Sequence, residues 1–402
     1  MMRESTDILI VGGGLVGASL AIALDAAGRD ATLIEATAPR TPARPSYDER
    51  NLALARATVN ALTHLGVWEH AQGATPITRL HVSRAVEFGA ARISASDAGV
   101  DALGATLPAR ELGNALEQRL RECGRITRLM SAKLEKLQSI EKGWRASIRI
   151  GDEVHEVDTK LLIGADGSDS FVRAQVGIGA DEHDYAQSLI VCTVTPERDP
   201  EGCAYERFSD EGPVALLPLS NKRCGLVLTV ASEQSANVLA LSEDDFAALA
   251  QQRFGWKLGR LMRSGKRQTH RARRVLAQSL IAPRAVVIGN AAQTVHPIGA
   301  QGFNLGLRDA LTLAQLIADA DDPGAPELLR EYAARRKPDR EGVLAFSHGL
   351  ISLACLPQPA LAPLRSLALL AFDSVSPLKR MLAKRGMGWR GVPPNASLER
   401  TP

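Results

Sequence analysis

The strongest constraint on the fold is a glycine turn between a short apolar strand and a helix near the start of the chain. Asp7-Ile-Leu-Ile-Val11 is typical of a buried parallel strand and runs directly into Gly12-Gly13-Gly14-Leu15-Val16-Gly17, a G-x-G-x-x-G sequence. A helix is predicted over residues 18–27, and a second strand then ends at Glu35, 18 residues after Gly17. This order predicts a doubly wound α/β domain that binds a dinucleotide.

Each glycine of this turn has a mechanical reason for its position. Gly12 permits the tight turn, Gly14 lets the backbone approach a pyrophosphate, and Gly17 brings the helix close to the strand. The helix N-terminus then faces the phosphates, and we expect Glu35 to accept hydrogen bonds from the adenosine ribose. The pattern does not distinguish NAD from FAD, and a glycine-rich turn of some other α/β fold is the alternative.

Composition excludes several other classes of protein. The chain has 48 Lys and Arg against 45 Asp and Glu, a net charge of +3 without a block of like charges, so nucleic acid is not expected as a partner. Its five cysteines form no C-x-x-C pair, so neither a disulfide framework nor a metal site is predicted. We therefore expect a cytoplasmic protein, without a secretory leader.

One segment is long and uncharged enough to be tested as a membrane span. Residues 342–364 contain no Asp, Glu, Lys or Arg. They also contain Pro357, Pro359 and Pro363, which would break a helix that must satisfy its own backbone in lipid. We expect a buried helix, a break and a second helix from about Leu361.

Two further strands are predicted to run into glycine loops. Residues 160–170 read as a strand followed by Asp166-Gly167, and a plain connection capped by Asp166 is an equal alternative to a ligand loop. Residues 285–304 read as a strand, a loop with Gly299 and Gly302, and a helix from Leu305. Backbone N–H groups in the second loop can surround an electron-rich ligand.

The three predicted junctions, at each of which a strand runs into a glycine turn or loop, together resemble the class A flavin-dependent aromatic hydroxylases. The resemblance covers essentially the whole chain. More narrowly, four segments resemble the hydroxylases of ubiquinone biosynthesis, with the nearest likeness to the 2-polyprenyl-6-methoxyphenol hydroxylases. The segments are Asp48-Glu-Arg50-Asn-Leu-Ala-Leu, Tyr205-Glu-Arg-Phe with the following Gly-Pro-Val-Ala-Leu-Leu-Pro218, Phe254-Gly-Trp-Lys-Leu-Gly and Gly289-Asn-Ala-Ala-Gln-Thr-Val-His-Pro297.

The resemblance implies a Rossmann-like FAD-binding domain of the para-hydroxybenzoate hydroxylase type, a β-sheet substrate domain and a helical C-terminal tail. It also implies a set of FAD-binding residues: Gly12, Gly14, Gly17, Glu35, Arg50, Arg110, Asp166, Gly167, Gly289, Asn290, Pro297, Gly299, Gln301, Gly302 and Asn304. A surface salt bridge is the alternative for both Arg50 and Arg110, and a structural role is the alternative for His296, which precedes Pro297. Most of the class has Asp where this chain has Asn290, so that contact is expected without its charge.

The implied reaction is hydroxylation of the ring of a polyprenyl phenol, with 2-polyprenyl-6-methoxyphenol as the expected substrate. FAD stays bound, NAD(P)H visits as a transient co-substrate, and O2 reacts through a flavin C4a-hydroperoxide. No catalytic side chain is assigned. The alternatives are hydroxylation of another ring position or another phenol, and a non-catalytic flavoprotein scaffold within a protein complex of ubiquinone biosynthesis.

The expected domain organisation is discontinuous. We assign residues 1–75, 105–180 and 280–340 to the FAD-binding domain, and residues 76–104 and 181–279 to a substrate-side β-sheet. Residues 341–402 are expected to form helices. In that tail, residues 377–386 are basic on one side and apolar on the other, so they favour either a helix packed on the protein or a peripheral contact with the inner membrane.

Overall fold

The computed structural model describes residues 4–37, 50–295 and 301–354, together with residues 363, 366–367, 370–371, 373, 375–389 and 394–395. Two of the predicted site residues, Pro297 and Gly299, lie outside these ranges, as does His296. The expected break before a helix at Leu361 also lies outside them.

The α-helices described are α1 (Leu15–Ala26), α2 (Arg56–His64), α3 (Ala109–Leu120), α4 (Phe171–Gln175), α5 (Ser235–Ala240), α6 (Glu243–Phe254), α7 (Gln301–Ala318), α8 (Pro326–Ala354) and α9 (Ser376–Gly386). Short 3-10 turns lie at Trp68–His70, Ser96–Ala98, Ser232–Gln234 and Gly289–Ala291.

The strands described are β1 (Glu4–Val11), β2 (Ala31–Glu35), β3 (Asn51–Ala55), β4 (Thr75–Ile77), β5 (Arg79–Arg84), β6 (Ala90–Ser94), β7 (Gly104–Pro108), β8 (Ile126–Met130), β9 (Ala132–Ile140), β10 (Gly143–Ile150), β11 (Glu153–Gly164), β12 (Ala180–Pro196), β13 (Cys203–Phe208), β14 (Val214–Leu219), β15 (Arg223–Ala231), β16 (Leu261–Ser264), β17 (Gln268–Ala277), β18 (Ile281–Ala282), β19 (Ala285–Val287) and β20 (Gln293–Thr294).

The first sheet has a parallel centre in the order β19-β11-β1-β2-β8. The antiparallel strands β18, β10 and β9 extend it. The β1 side chains Ile8 and Ile10 are fully buried with Leu20 and Leu24 of α1. Burying each such side chain contributes about 1.5–3 kcal/mol, so the strand–turn–helix unit is anchored in the main core.

The second sheet runs in the order β20-β17-β12-β15-β14-β13-β5-β6, with β16 on β12. Its pairs are antiparallel except for β13 and β5, which run parallel. Strands β5 and β6 lie within residues 76–104, and strands β13 to β17 lie within residues 181–279, the two stretches predicted to form a substrate-side sheet. A small antiparallel sheet in the order β3-β7-β4 lies beside it.

A buried network of ion pairs joins α7 to α8. The Nε atom of Arg308 lies 2.7 Å from Asp339 Oδ2, and the Nε atom of Arg336 lies 2.7 Å from Asp309 Oδ1. Burial opposes the ionisation of Asp339, yet the guanidinium groups of Arg308 and Arg336 hold the pKa of its carboxyl below its ordinary value. The network therefore fixes α7, which carries predicted site residues, against the long helix α8.

Candidate functional site

A cavity of about 990 Å³ lies between the first sheet, the small sheet and the second sheet. Its polar end, which we call the glycine end, contains ten of the predicted site residues: Gly12, Gly14, Glu35, Arg50, Asp166, Gly167, Asn290, Gln301, Gly302 and Asn304. Three other predicted residues, Gly17, Gly289 and Arg110, do not line it.

In the first glycine turn, two glycines leave no room for a side chain, and a third has open space beside it. Gly12 has φ +104°, and a Cβ on Gly17 would stand 2.0 Å from the carbonyl oxygen of Gly12. Gly14 is the N-cap of α1, no side chain caps the helix there, and a Cβ on Gly14 would meet no protein atom within 4 Å. The turn therefore presents an uncapped helix N-terminus to open cavity space, as a pyrophosphate requires.

Two carboxylates at the glycine end bind the backbone of their own loops. Glu35 accepts hydrogen bonds from the N–H of Gly13 at 2.7 Å and from the N–H of Thr37 at 2.8 Å. Asp166 accepts one from the N–H of Val172 at 3.0 Å and another from the hydroxyl of Ser170, at the start of α4. Asp166 thus supports the cap of α4, whose N-cap residue is Ser170, and it also lines the cavity.

The two predicted arginines lie in different surroundings. Arg50 lines the cavity immediately before β3. The Nε atom of Arg110 instead lies 3.0 Å from Glu111 Oε1, in the first turn of α3. The salt-bridge alternative therefore describes an observed contact of Arg110, and Arg50 is the arginine with direct access to the cavity.

The third predicted junction folds as a short 3-10 turn after β19. Gly289 has φ +58°, packs against Val16 of α1, and donates its backbone N–H to Asp309 Oδ2 at 3.2 Å. The same carboxylate oxygen accepts a hydrogen bond from Gln293 Nε2 at 2.5 Å. The buried network of α7 and α8 thus fixes this turn, in which Asn290 lines the cavity.

The segment Gln301–Asn304 was expected to be a loop ahead of a helix at Leu305, and this local prediction was wrong. Helix α7 already begins at Gln301, so Gly302 and Asn304 lie in its first turn. The Asn304 side chain accepts hydrogen bonds from the Ala55 N–H at 2.9 Å and the Thr58 hydroxyl at 2.7 Å, and donates to the Ala53 carbonyl at 2.9 Å. It therefore fastens β3 and α2 to the first turn of α7.

The other end of the cavity, which we call the sheet end, is formed by one face of the second sheet. Apolar side chains dominate it, among them Leu80, Val82, Ile93, Leu189, Val191, Ala204, Leu217 and Val227. Glu206 of β13 lies among them, and burial raises the pKa of its carboxyl to about 8.

Helix α9 forms another wall of the same cavity. Leu382, Ala383 and Met387 line it, and the Met387 carbonyl accepts a hydrogen bond from the N–H of Ala57 at 2.9 Å. On the outer side, Arg380 and Lys384 are exposed. The predicted division of this segment into a basic side and an apolar side is therefore found in a helix packed on the protein.

Sequence reasoning missed three contributors to the cavity and its support. Glu206 was noted only as part of a motif, and the sequence of β13, Cys-Ala-Tyr-Glu-Arg-Phe, has no alternation that would reveal which way the side chain faces. Asp309 carries no local pattern that distinguishes it from an ordinary helix residue. The cavity wall formed by α9 depends on contacts with residues more than 300 positions away.

The residues at the glycine end fit FAD. The open space above Gly14, the uncapped N-terminus of α1 and the acid at the end of β2 are the features that a dinucleotide needs. Residues 5–347 match the family described as FAD binding domain. The chain belongs to the class A FAD-dependent hydroxylases. It is therefore an FAD-dependent monooxygenase, an enzyme class that uses O2 and a phenolic substrate.

Curated relatives of this hydroxylase extend over nearly its full length. It is 36% identical over 389 residues to ubiquinone hydroxylase UbiL of Rhodospirillum rubrum, covering 95% of this chain and 89% of the relative. It is 30% identical over 402 residues to 3-demethoxyubiquinol 3-hydroxylase of Escherichia coli, covering 96% of this chain and 100% of the relative. These relatives confirm the group of hydroxylases that the sequence motifs indicated.

A solved structure confirms the fold of this hydroxylase. The p-nitrophenol 4-monooxygenase PnpA of Pseudomonas putida superposes with a TM-score of 0.79 at 18% identity, covering 97% of this chain and 100% of the other. The α/β fold with a second β-sheet is thus that of the para-hydroxybenzoate hydroxylase type. In the described part of the chain, no helix is both long and apolar enough to cross a membrane.

Proposed function

We propose that this hydroxylase adds a hydroxyl group to the aromatic ring of a polyprenyl phenol in ubiquinone biosynthesis. The expected substrate is 2-polyprenyl-6-methoxyphenol, with NAD(P)H as the reductant. One observation carries the proposal: the cavity continues from a polar glycine end into an apolar sheet end. A ring with an apolar tail matches this polarity, because apolar surface is stabilised against apolar walls and the polar end serves the cofactor.

At the glycine end, we assign the predicted residues to parts of FAD. The backbone at Gly12, Gly14 and Gly17 holds the pyrophosphate at the start of α1, and Glu35 binds the ribose hydroxyls. The remaining assignments follow the family motif: Arg50 and Arg110 for the pyrophosphate or ribityl chain, Asp166 and Gly167 for FAD and nicotinamide, Gly289 and Asn290 for the ribityl chain, and Pro297, Gly299, Gln301, Gly302 and Asn304 for the isoalloxazine side.

FAD held at the glycine end and reduced by NAD(P)H would activate O2, from which the ring would receive one oxygen atom. The protein orients the reactants and excludes water. Helix α7 begins at Gln301 on the cavity, so the positive end of its dipole stabilises negative charge at that wall. The apolar sheet end keeps water from the reacting centre.

The first experiment is a visible spectrum of the purified protein, followed in the same cuvette by NADH consumption with and without a short-chain 2-prenyl-6-methoxyphenol. We expect flavin bands, substrate-stimulated consumption and one hydroxylated product. Flavin bands without stimulation by any phenol would contradict the proposal and favour a scaffold. Mass spectrometry and NMR of the product separate the expected ring position from the alternative, a different position or a different phenol.

We also propose the domain division that the sequence predicted, with residues 1–75, 105–180 and 280–340 as the FAD-binding domain and residues 76–104 and 181–279 as the substrate domain. The strands of the first sheet and of the second sheet fall largely on the two sides of this division. The proposed start of the tail at residue 341 lies inside α8, which is continuous from Pro326 to Ala354.

We further propose that the enzyme works in the cytoplasm at the surface of the inner membrane, in a protein complex of ubiquinone biosynthesis. The exposed Arg380 and Lys384 of α9 and the exposed Met381 support a peripheral contact beside the cavity wall. We expect binding to vesicles of anionic lipid that weakens with salt and drops when Arg380 and Lys384 are both changed to Glu. Equal sedimentation of both proteins with anionic and neutral vesicles would contradict the contact.

A further inference from the structure

Glu206 occupies an unusual position in the second sheet. Its neighbours across the ladder are Val82 of β5 and Ala215 of β14, and Ala215 in turn pairs with Val227 of β15. Because paired residues share a face of a sheet, this row is apolar on either side of the Glu206 carboxyl. A single acid therefore projects into the apolar end of the cavity.

The residues next to Glu206 along β13, Tyr205 and Arg207, both lie close to the end of helix α6. The ring of Tyr205 packs edge to face against Phe254 of α6, with ring centres 5.6 Å apart. The Arg207 guanidinium lies 3.6 Å from the position that a Cβ on Gly255 would take, at the end of the same helix. Tyr205 also lines the cavity, but among the described residues neither neighbour forms a hydrogen bond or an ion pair with the Glu206 carboxyl.

The elements packed against β13 bring no partner for this carboxyl. The ionisable residue of β5 nearest to Val82 on the same face is Arg84, which is held by Glu87 and Asp210. Strands β14, β4 and β7 contain no ionisable residue. The cationic residues of β17 lie four strands away in the sheet, about 19 Å at the usual strand spacing. Within the described chain, no group donates a hydrogen bond to Glu206.

An unpaired carboxyl in an apolar compartment lowers stability unless a ligand satisfies it. Burial raises the pKa of Glu206 to about 8, which brings its ionisation close to neutral pH. At the glycine end, the lining carboxylates Glu35 and Asp166 are bonded to their own loops. Glu206 is therefore the lining carboxyl, in the described part of the chain, that remains for a polar group on a bound ligand.

We propose that Glu206 is a catalytic residue that binds the phenol hydroxyl of the substrate and accepts its proton as the ring is hydroxylated. This inference rests on the proposed function and adds a general base to it. In the step, the phenol O–H bond breaks, the proton passes to a Glu206 carboxylate oxygen, and the bonding electron pair stays on the phenol oxygen. The ring becomes more electron-rich, which favours its attack on the electrophilic oxygen.

The direction of the pH effect follows from the acceptor role. Glu206 accepts the proton only when it is ionised, so the active fraction rises with pH through about 8. The hydrogen bond from the phenol to the charged carboxylate is also stronger than one to a neutral group. Both phenol binding and turnover should therefore improve from pH 6.5 to pH 9, below the range in which an ordinary phenol ionises.

The decisive experiment compares two probes on the FAD-loaded protein without NAD(P)H: a short-chain 2-prenyl-6-methoxyphenol and its O-methyl ether, which has no proton to give. Equilibrium dialysis gives both Kd values from pH 6.5 to pH 9. In the wild type, we expect the preference for the phenol over the ether to grow about tenfold over this range. In Glu206→Gln, the preference should be small and constant, and the Kd of the ether should stay within about threefold of the wild-type value.

Kinetics provide the second measurement. In the wild type, kcat/KM should rise with pH with an apparent pKa near 8, and Glu206→Gln should lose this dependence together with at least about 100-fold of the rate at pH 9. Glu206→Asp keeps an acid and should keep the pH dependence at a lower rate. The matched control is Glu182→Gln, an exposed carboxyl on β12 of the same sheet, which should behave as the wild type. Flavin absorbance verifies that every variant retains FAD.

The outcomes separate the two proposals. If the wild type hydroxylates the phenol but Glu206→Gln keeps the wild-type preference and pH profile, the role of Glu206 is wrong and the proposed function stands. If the wild type neither binds the phenol in preference to the ether nor hydroxylates it, both are wrong. Loss of the pH-dependent preference in Glu206→Gln alone supports the catalytic role.

Discussion

The two ends of the cavity use carboxylates in opposite ways. At the glycine end, Glu35 and Asp166 each accept backbone hydrogen bonds that hold a loop or a helix start in place. At the sheet end, Glu206 accepts none from the described residues and is surrounded by apolar side chains. The difference shows that the glycine end is built by its own polar contacts, whereas the sheet end leaves its polar group for a ligand.

The largest expected effect tests the glycine end. Gly14→Val should weaken FAD binding about 1,000-fold, about 4 kcal/mol, because the new side chain enters the space assigned to the pyrophosphate. A Cβ at this position meets no protein atom within 4 Å, so the fold should persist. The measurement is FAD titration of the apoprotein, with circular dichroism to verify folding.

Gly124→Val is the matched control, because Gly124 is exposed and a Cβ there also meets no protein atom within 4 Å. It should bind FAD as the wild type does. A full flavin complement in purified Gly14→Val would show that the pyrophosphate lies elsewhere. In Gly17→Val, by contrast, the collision with the Gly12 carbonyl should disrupt folding itself.

The next largest expected effect is a loss of stability when the hydrogen bonds that connect β3 and α2 to α7 through Asn304 are removed. Asn304→Ala removes the acceptor of two buried hydrogen bonds and the donor of a third, which leaves groups of β3 and α2 unpaired. We expect the free energy of unfolding to fall by about 3 kcal/mol, measured by urea denaturation. Asn114→Ala, an exposed position on α3, should change it little. Equal urea midpoints for Asn304→Ala and Asn114→Ala would contradict a stabilising role of the Asn304 hydrogen bonds.

The last prediction concerns the sheet end and the way in which the stability of the protein depends on pH through Glu206. The pKa of Glu206 is about 8 in the folded protein, above the ordinary value of 4.5, so ionisation of this group disfavours the folded state progressively as pH rises from about 4.5 to about 8. Glu206→Gln cannot ionise. It should therefore unfold at nearly the wild-type temperature at pH 5 and at a clearly higher temperature than the wild type at pH 9.

Thermal unfolding of both holoproteins at the two pH values measures this difference. A Tm difference that is the same at pH 5 and pH 9 would contradict an unpaired acid at this position. The glycine end offers the comparison within the molecule: Glu35→Gln weakens two hydrogen bonds to backbone N–H groups, so it should lower stability at both pH values.

The strand–turn–helix unit could be predicted from the sequence because its contacts are local. The turn at Gly12–Gly17 and the acid at Glu35 are separated by few residues, and each has a geometric requirement that the residue type reveals. The fold class and the family followed from the same kind of local pattern. The early start of α7 could not be predicted, because Asn304 is held by Ala55, which lies 249 residues away in the chain.

The sheet end shows the other limit of the sequence. The sequence of β13 does not alternate between apolar and polar residues, so it does not show what the face that carries Glu206 meets. The answer requires the register with β5 and β14, and β5 is distant in the chain. The basic helix at the C-terminal region is similar: its two faces are visible in the sequence, and its role as a cavity wall is set by the contact between Met387 and Ala57.

That contact also determines when the cavity can exist during synthesis. The first glycine turn is synthesised some 370 residues before the wall formed by α9. A nascent chain that has reached only α8 therefore has the strand–turn–helix unit but an incomplete cavity. The substrate space is therefore enclosed only after α9 has been synthesised and has packed against Ala57.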